Sequence, residues 1–348
     1  MGKIKTRMGD GFKVEMTEAE VRKALEEGTQ DAAERADVEA LTEDDLQQLF
    51  EIYASPYRMV GVEEGNEVVL TYDSLNTKIK RAQISTSKIQ SLQVCERALG
   101  ADTLELAHID YSYKPVKPII PFEKPIMEQA VLITIPALLY GAMPNLGLYS
   151  QPDGPCPNPA DLLPNGKIAE ARASYEEAAE YAISDMVYVG SEMYESGADG
   201  INFDTTAAAG DAEFYATLKA VEILRKKYPA MGIQMGMAAE FVLGMHGEIE
   251  YNGVRLAGLY PHKQIKLAQE AGVNIFGPAV NIVTSKSLPW NTARSVTWTK
   301  ACTDVAEIPV HACLGMGVGG VPLALTPPID AVSRASKAHV EICKLDGL

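Results

Sequence analysis

The chain has 348 residues, of which 47% are hydrophobic and 22% charged, a composition typical of a globular protein with a sizeable core. Its formal net charge of -16 argues against a nucleic-acid partner, because there is no excess of basic side chains to neutralise phosphates. No apolar run is long enough for a membrane helix, and the five cysteines are scattered without a CxxC pair. We therefore predict a cytoplasmic protein with no membrane span, no disulfide framework and no metal site.

The N-terminal region is acidic and predicts helices over about the first 55 residues. Thr17 has Glu20 three residues on, and Thr42 has Asp45, both in the pattern of a capping box at a helix start. Residues 59–72 predict a β-hairpin with its turn at Gly65-Asn66. We therefore predict an N-terminal extension of helices and a hairpin over residues 1–95, packed on the main domain.

Alternating strands and helices follow from residue 96 on. Helices that end in glycine lead into short apolar runs, which is typical of βα units. The predicted strands lie at 103–110, 131–140, 200–204, 232–237, 273–278 and 308–313, and the predicted helices at 169–196, 212–228, 261–271, 289–306 and 329–343. Repeated units of this size predict a parallel sheet.

The fold class predicted for residues 96–348 is α/β, a (β/α)8 TIM-type barrel. A barrel is favoured over a doubly wound sheet because polar side chains follow many strands in turn, and do not cluster at one switch point. The last residues, Asp346-Gly347-Leu348, repeat the form of Asp199-Gly200-Ile201, where a helix passes into a strand. We therefore expect a strand that the given chain does not complete, and a barrel incomplete at its C-terminus.

Polar side chains at the predicted strand ends form the candidate site, because such ends converge at one face of a barrel. The catalytic candidates are Glu240, Asp204 and His311, and the ligand-facing candidates are Asn202, Asn145, His246 and Asn281. Carboxylates, histidine and amides together suit a small polar cation or acid–base chemistry. Two alternatives stay open: Asp204 and the threonines after it are also typical of a helix N-cap, and His311 also suits a hydrogen-bonded interior histidine.

A glycine run from Gly315 to Gly320 satisfies GxGxxG. As a dinucleotide fingerprint it is badly placed, since it follows a late strand, precedes several prolines and does not open a helix. A phosphate cradle of the barrel type is a second alternative. We favour a third, in which Gly315, Gly317 and Gly320 let a large flat ligand or a partner protein approach the backbone closely. No tightly bound cofactor is predicted.

Several phrases, in order, resemble those of the dimethylamine:corrinoid methyltransferases, a pyrrolysine-containing family. They are RMGDG (7–11), GADTLELAHIDYSYKPVKP (100–118), YGAMPNLGLY (140–149), SGADGINFDTTAAAGD (196–211), VLGMHGEIEYNGV (242–254), AGVNIFGP (271–278) and GMGVGGVPLALTPPIDAVSRASKAHVEI (315–342). The resemblance runs from about residue 7 to residue 348, at near-constant spacing.

The resemblance implies a (β/α)8 barrel that moves one methyl group from dimethylamine to the Co(I) corrinoid of a separate carrier protein, releasing monomethylamine in methylamine catabolism and methanogenesis. It implies that the corrinoid belongs to the partner, and that the glycine loop receives it. It also implies a catalytic pyrrolysine directly after Leu348, without which we expect the given chain to be inactive. We expect a homo-oligomer. The alternatives are a related corrinoid methyltransferase with another methylated-amine substrate and a non-catalytic truncated product.

Overall fold

The computed structural model describes residues 2–56, 59–61, 63, 76–79, 84–87, 139–142, 144–244, 246–324 and 327–348. Its strands are β1 (Ile4–Arg7), β2 (Lys13–Met16), β3 (Asn76–Ile79), β4 (Ile84–Ser87), β5 (Leu139–Ala142), β6 (Gly200–Thr206), β7 (Gly232–Met237), β8 (Glu250–Tyr251), β9 (Val254–Arg255) and β10 (Ile275–Gly277). Its helices are α1 (Glu18–Ala36), α2 (Glu43–Ala54), α3 (Pro159–Leu162), α4 (Ile168–Glu195), α5 (Asp211–Lys227), α6 (Pro261–Ala271), α7 (Leu288–Thr303) and α8 (Ile329–Cys343), with 3-10 turns at Leu146–Tyr149 and Leu163–Asn165.

The chain forms two compact units. The first unit comprises Met1–Pro136, Val280–Asp304 and Val310–Leu348, and the second comprises Ala137–Ala279 and Val305–Pro309. The predicted boundary near residue 95 lies outside the described residues and stays a prediction. None of the described helices is both long and apolar enough to cross a membrane.

The second unit is built on a parallel sheet of four strands in the order β10-β7-β6-β5. Each strand of this sheet pairs with the strand of the same sheet that follows it along the chain, with only the small β8–β9 hairpin intervening between β7 and β10, so the strand order does not reverse. The α/β class and the parallel sheet are thus confirmed, whereas the described residues contain no closed barrel. Helix α6 ends at Ala271 and is capped by Gly272, whose positive φ of 105° lets the chain turn towards β10, as the glycine in the sequence predicts.

One face of this sheet is apolar and packs against helices. Ile201 and Phe203 on β6 are 0% exposed, as are Ile233 and Met235 on β7. A Cβ on Gly190 of α4 would lie 2.9 Å from a methyl carbon of Leu224 on α5, so the two helices approach closely there. Because side chains alternate along a strand, the residues between these apolar ones share the opposite face.

The first unit has its core around α1, α2, α7 and α8. Helix α1 crosses α7 so closely that a Cβ on Gly28 would lie 2.2 Å from the carbonyl oxygen of Trp290. The Trp298 indole N–H donates to the Ala32 carbonyl at 2.8 Å across the same contact. Both predicted capping boxes are confirmed, at the starts of α1 and α2.

Several sequence predictions are corrected. Residues 4–16 form an antiparallel hairpin of β1 and β2, where only helices were predicted. Residues 308–313 form no full strand. His311 makes a parallel bridge with Gly347, and the Pro309 carbonyl accepts from the Phe276 N–H of β10 at 3.0 Å. Asp346 Oδ2 accepts from the Val310 N–H at 2.9 Å beside this bridge. This side-chain bond satisfies a backbone donor that a neighbouring strand would otherwise pair with. Helix α7 ends at Thr303, before the predicted residue 306.

Other predictions fall on residues that are not described. They include most of the 59–72 hairpin with its turn, the 103–110 strand, and the start of the 131–140 strand. An antiparallel pair, β3 with β4, lies farther along the chain than the predicted hairpin.

Candidate functional site

The ten candidate residues divide equally between the two units. Those of the second unit are Asn145, Asn202, Asp204, Glu240 and His246, and those of the first are Asn281, His311, Gly315, Gly317 and Gly320.

A polar face on the sheet of the second unit carries Asn202 and Asp204. Both are half-buried and alternate with the buried Ile201 and Phe203 along β6. Asn202 is in register with Gln234 of β7, so their side chains share this face. Gln234 is not among the candidates predicted from the sequence, although a glutamine between two glycines in an otherwise apolar strand is a signal that points to it.

The Asn202 side-chain oxygen is buried and accepts no hydrogen bond from the part of the chain that the structure describes. Buried polar atoms are nearly always paired, so this oxygen is a natural acceptor for a ligand N–H.

Asp204 closes the polar face at the end of β6. Its Oδ1 accepts from the Thr205 N–H at 2.7 Å, and a Cβ on Gly236 of β7 would lie 3.2 Å from the same oxygen. Glycine at 236 therefore leaves room for the carboxylate. The helix-cap alternative is wrong, because α5 begins at Asp211 with Gly210 as its N-cap and no side-chain cap bond.

The backbone after Asp204 turns in an unusual conformation. Thr205 and Ala207 have positive φ values of 52° and 67°, which L-residues rarely adopt. Residues held in such conformations cluster at functional sites, since the surrounding structure must stabilise them.

Glu240 lies in the loop that follows β7 and is only 8% exposed. Its carbonyl oxygen accepts from Gln264 Nε2 at 3.4 Å, and the same amide donates to the Leu259 carbonyl at 2.7 Å. Gln264, fully buried on α6, thus holds the backbone on either side of this loop.

The other two candidates of this unit are exposed. Asn145 follows β5, and its Oδ1 accepts from the Gly147 N–H at 3.0 Å as the cap of the 3-10 turn. His246 lies in the loop after β7 with a positive φ of 58°. These contacts do not bring the side chain of Asn145 or of His246 to the polar face.

In the first unit, Asn281 and the glycine run lie beside each other. Asn281 pairs with Val318 in an antiparallel bridge, and Arg294 donates to the Asn281 carbonyl at 3.0 Å. Gly317 and Gly320 have positive φ values of 92° and 81°. A Cβ on Gly320 would lie 2.6 Å from Thr292 Oγ1, so a close approach to α7 by itself requires glycine there.

Gly315 is buried in the same run, and His311 is half-buried next to its backbone bridge with Gly347. Within the described ranges, no group of three or more His, Cys, Asp or Glu side chains has the arrangement of a metal site.

Comparison with known proteins identifies the family. The family model described as dimethylamine methyltransferase matches residues 2–348. No solved structure matches the chain. The match covers both units and every candidate residue, so the chain belongs to the dimethylamine methyltransferase family, and it is a methyltransferase that acts on dimethylamine.

Proposed function

We propose that this protein transfers one methyl group from dimethylamine to the Co(I) corrinoid of a separate carrier protein and releases monomethylamine. The observation that carries the proposal is the family match over residues 2–348. The corrinoid is then a substrate supplied by the partner, not a cofactor bound by this chain.

The polar face of the second unit supports an amine substrate. Dimethylammonium is a small cation with two N–H donors and two methyl groups, so it needs acceptors and negative charge on one side and apolar surface on the other. Asn202 and Gln234 offer amide oxygens on this face, and Asp204 offers a carboxylate at its edge. Amide and carboxylate acceptors are the groups that bind an ammonium ion.

The reaction breaks one C–N bond, and its electron pair stays on the departing nitrogen. Cobalt supplies the pair for the new bond to the methyl carbon. Asp204 and Glu240 stabilise positive charge on the bound amine. The catalytic role expected for His311, acid–base chemistry, stays a prediction from the sequence. The side chains of this chain then act mainly by positioning.

A (β/α)8 barrel is the architecture that we propose for the full-length protein. The pairing of β5, β6, β7 and β10 in chain order supports it, because successive parallel strands of a barrel are neighbours. An experimental structure of the full-length protein tests this, and a sheet whose strand order reverses would contradict it.

The proposed activity is tested with full-length protein, reduced carrier protein, and a panel of mono-, di- and trimethylamine and a quaternary amine. We expect methylated corrinoid only with dimethylamine. Asp204→Asn and Glu240→Gln should each lower the transfer rate by about 10²- to 10³-fold, the usual effect of losing one charged stabilising group. The matched control is Glu176→Gln, because Glu176 is an exposed carboxylate on α4.

Normal transfer by the Glu240→Gln variant would contradict the role given to Glu240. A preference for trimethylamine or a quaternary amine would favour the related-enzyme alternative. No transfer by the full-length protein would favour a non-catalytic product. The cytoplasmic location and the homo-oligomer stay predictions.

A further inference from the structure

Two buried carboxylates lie in the first turn of α5. Asp211 is 8% exposed and Glu213 is 1% exposed. Acidic residues at a helix start are usual because they complement the helix dipole, but they are rarely buried unless other groups pair with them. Burial raises the pKa of both side chains, and backbone N–H donors oppose that rise in each case.

Glu213 joins the loops that follow two neighbouring strands. Its Oε2 accepts from the Leu146 N–H at 3.2 Å, and its Oε1 accepts from the Ala209 N–H at 3.3 Å. Leu146 follows Asn145 in the loop after β5, and Ala209 lies in the turn after β6 that begins beyond Asp204. One carboxylate therefore holds both loops, and each of its oxygens serves a different one.

Asp211 lies against the loop that follows the third strand, β7. Its N–H donates to the Leu243 carbonyl at 2.8 Å. A Cβ on Gly247 would lie 2.0 Å from Asp211 Oδ2, and one on Gly244 would lie 3.2 Å from it. The carboxylate thus fills the space beside the loop that contains Glu240. Burial raises its pKa, and the backbone N–H of Ile249, in the same loop, lowers it.

A helix-start carboxylate with an ordinary local role behaves differently, as α1 shows. There the exposed Glu20 reaches back to Thr17 of its own helix start. Glu213 instead bonds to Leu146, 67 positions away in the sequence. The contacts of Glu213 serve neighbouring loops in addition to its own helix start.

We propose that Asp211 and Glu213 are positioning residues, which hold the three loops after β5, β6 and β7 in a fixed relation. These loops carry Asn145, Glu240 and the turn beyond Asp204, so the catalytic consequence of the proposal rests on the proposed function. The geometric part does not depend on it.

The geometric part is tested by amide hydrogen exchange on the full chain without substrate. Glu213→Gln keeps the shape of the side chain but replaces one accepting oxygen with an NH2 group, which cannot accept. The affected loop depends on which oxygen is replaced. We expect amide exchange to become roughly tenfold faster in residues 144–149 or in residues 207–210, because one hydrogen bond of ordinary strength is lost. Amides of β6 and β7 should keep their rates, and the control Glu176→Gln should change none of these segments.

Asp211→Asn is the second variant. It keeps the backbone donor to the Leu243 carbonyl and weakens the acceptor that faces the Ile249 N–H beside Gly247, so faster exchange is expected only in residues 246–249. Unchanged exchange in all three loops of both variants would overturn the proposal. Equal acceleration throughout β6 and β7 would also overturn it, because both carboxylates would then only support the overall stability of the unit.

The catalytic consequence is read from full-length variants with the carrier protein. Glu213→Gln should lower kcat about tenfold or more with a smaller change in KM, since misplaced loops spoil alignment more than binding. If amide exchange in the loops becomes faster while kcat and KM stay unchanged, the loops are held as proposed, but their link to methyl transfer is wrong.

Discussion

Acid should destabilise the first unit through one buried side chain, His339 of α8. The ring is 0% exposed, with Nδ1 2.8 Å from the Ala335 carbonyl oxygen and Nε2 2.8 Å from Ser295 Oγ. A carbonyl can only accept, so the neutral ring carries its proton on Nδ1, and Nε2 accepts from the serine hydroxyl. Burial lowers the pKa of His339 from 6.5 to about 4, because the charged ring is poorly solvated there.

The size of the effect follows from the two pKa values. A group whose pKa is depressed in the folded state contributes stability above its unfolded pKa and loses it as the pH falls through the folded pKa. At pH 5 the unfolded ring is almost fully protonated, whereas the folded ring is still mostly neutral. The free energy of unfolding should therefore fall by about 2 kcal/mol between pH 7 and pH 5 on account of this group alone.

The assay uses the two tryptophans of the chain, Trp290 and Trp298, which both lie on α7 in the first unit. Their fluorescence during urea unfolding therefore reports on the first unit. His339→Gln keeps a polar side chain of similar reach and removes the titration. The wild type should lose about 2 kcal/mol more than this variant on going from pH 7 to pH 5. Equal losses in the two proteins would refute the role assigned to His339.

Three further predictions concern packing, capping and the opposite sign of pH dependence. Gly28→Ala should lower the free energy of unfolding of the first unit by about 2 kcal/mol in the same fluorescence assay, because the new Cβ would clash with the Trp290 carbonyl. The control is the neighbouring Glu27→Ala, which should change this free energy little. Thr42→Ala should cost about 1 kcal/mol by removing the capping box of α2, and an unchanged urea midpoint would contradict it. In the second unit, burial raises the pKa of Glu213, so its contribution is present at low pH and lost as the pH rises through the folded pKa. Exchange protection of residues 144–149 and 207–210 in the wild type, relative to Glu213→Gln at each pH, should therefore grow on acidification, and a decline would contradict the raised pKa.

The sequence by itself determined features whose signals lie within a few residues. Thr17 and Thr42 with their partners three positions on predicted two helix starts, and glycine, proline and apolar periodicity predicted α6 and α8 to the residue. The strand Gly232–Met237 was also predicted with its bounds. Such signals are local because caps and periodicity act over one or two helical turns or along one strand.

Only the tertiary structure decided which polar residues belong together. Gln234 joins Asn202 because two strands pair in a particular register, and Glu213 is buried because residues 146 and 209 reach it. The β1–β2 hairpin was missed because each of its strands is only four residues long and half charged, too short a run to distinguish strand alternation from a helical pattern. Burial and hydrogen bonding between distant segments depend on the packing of whole elements, and no local pattern encodes them.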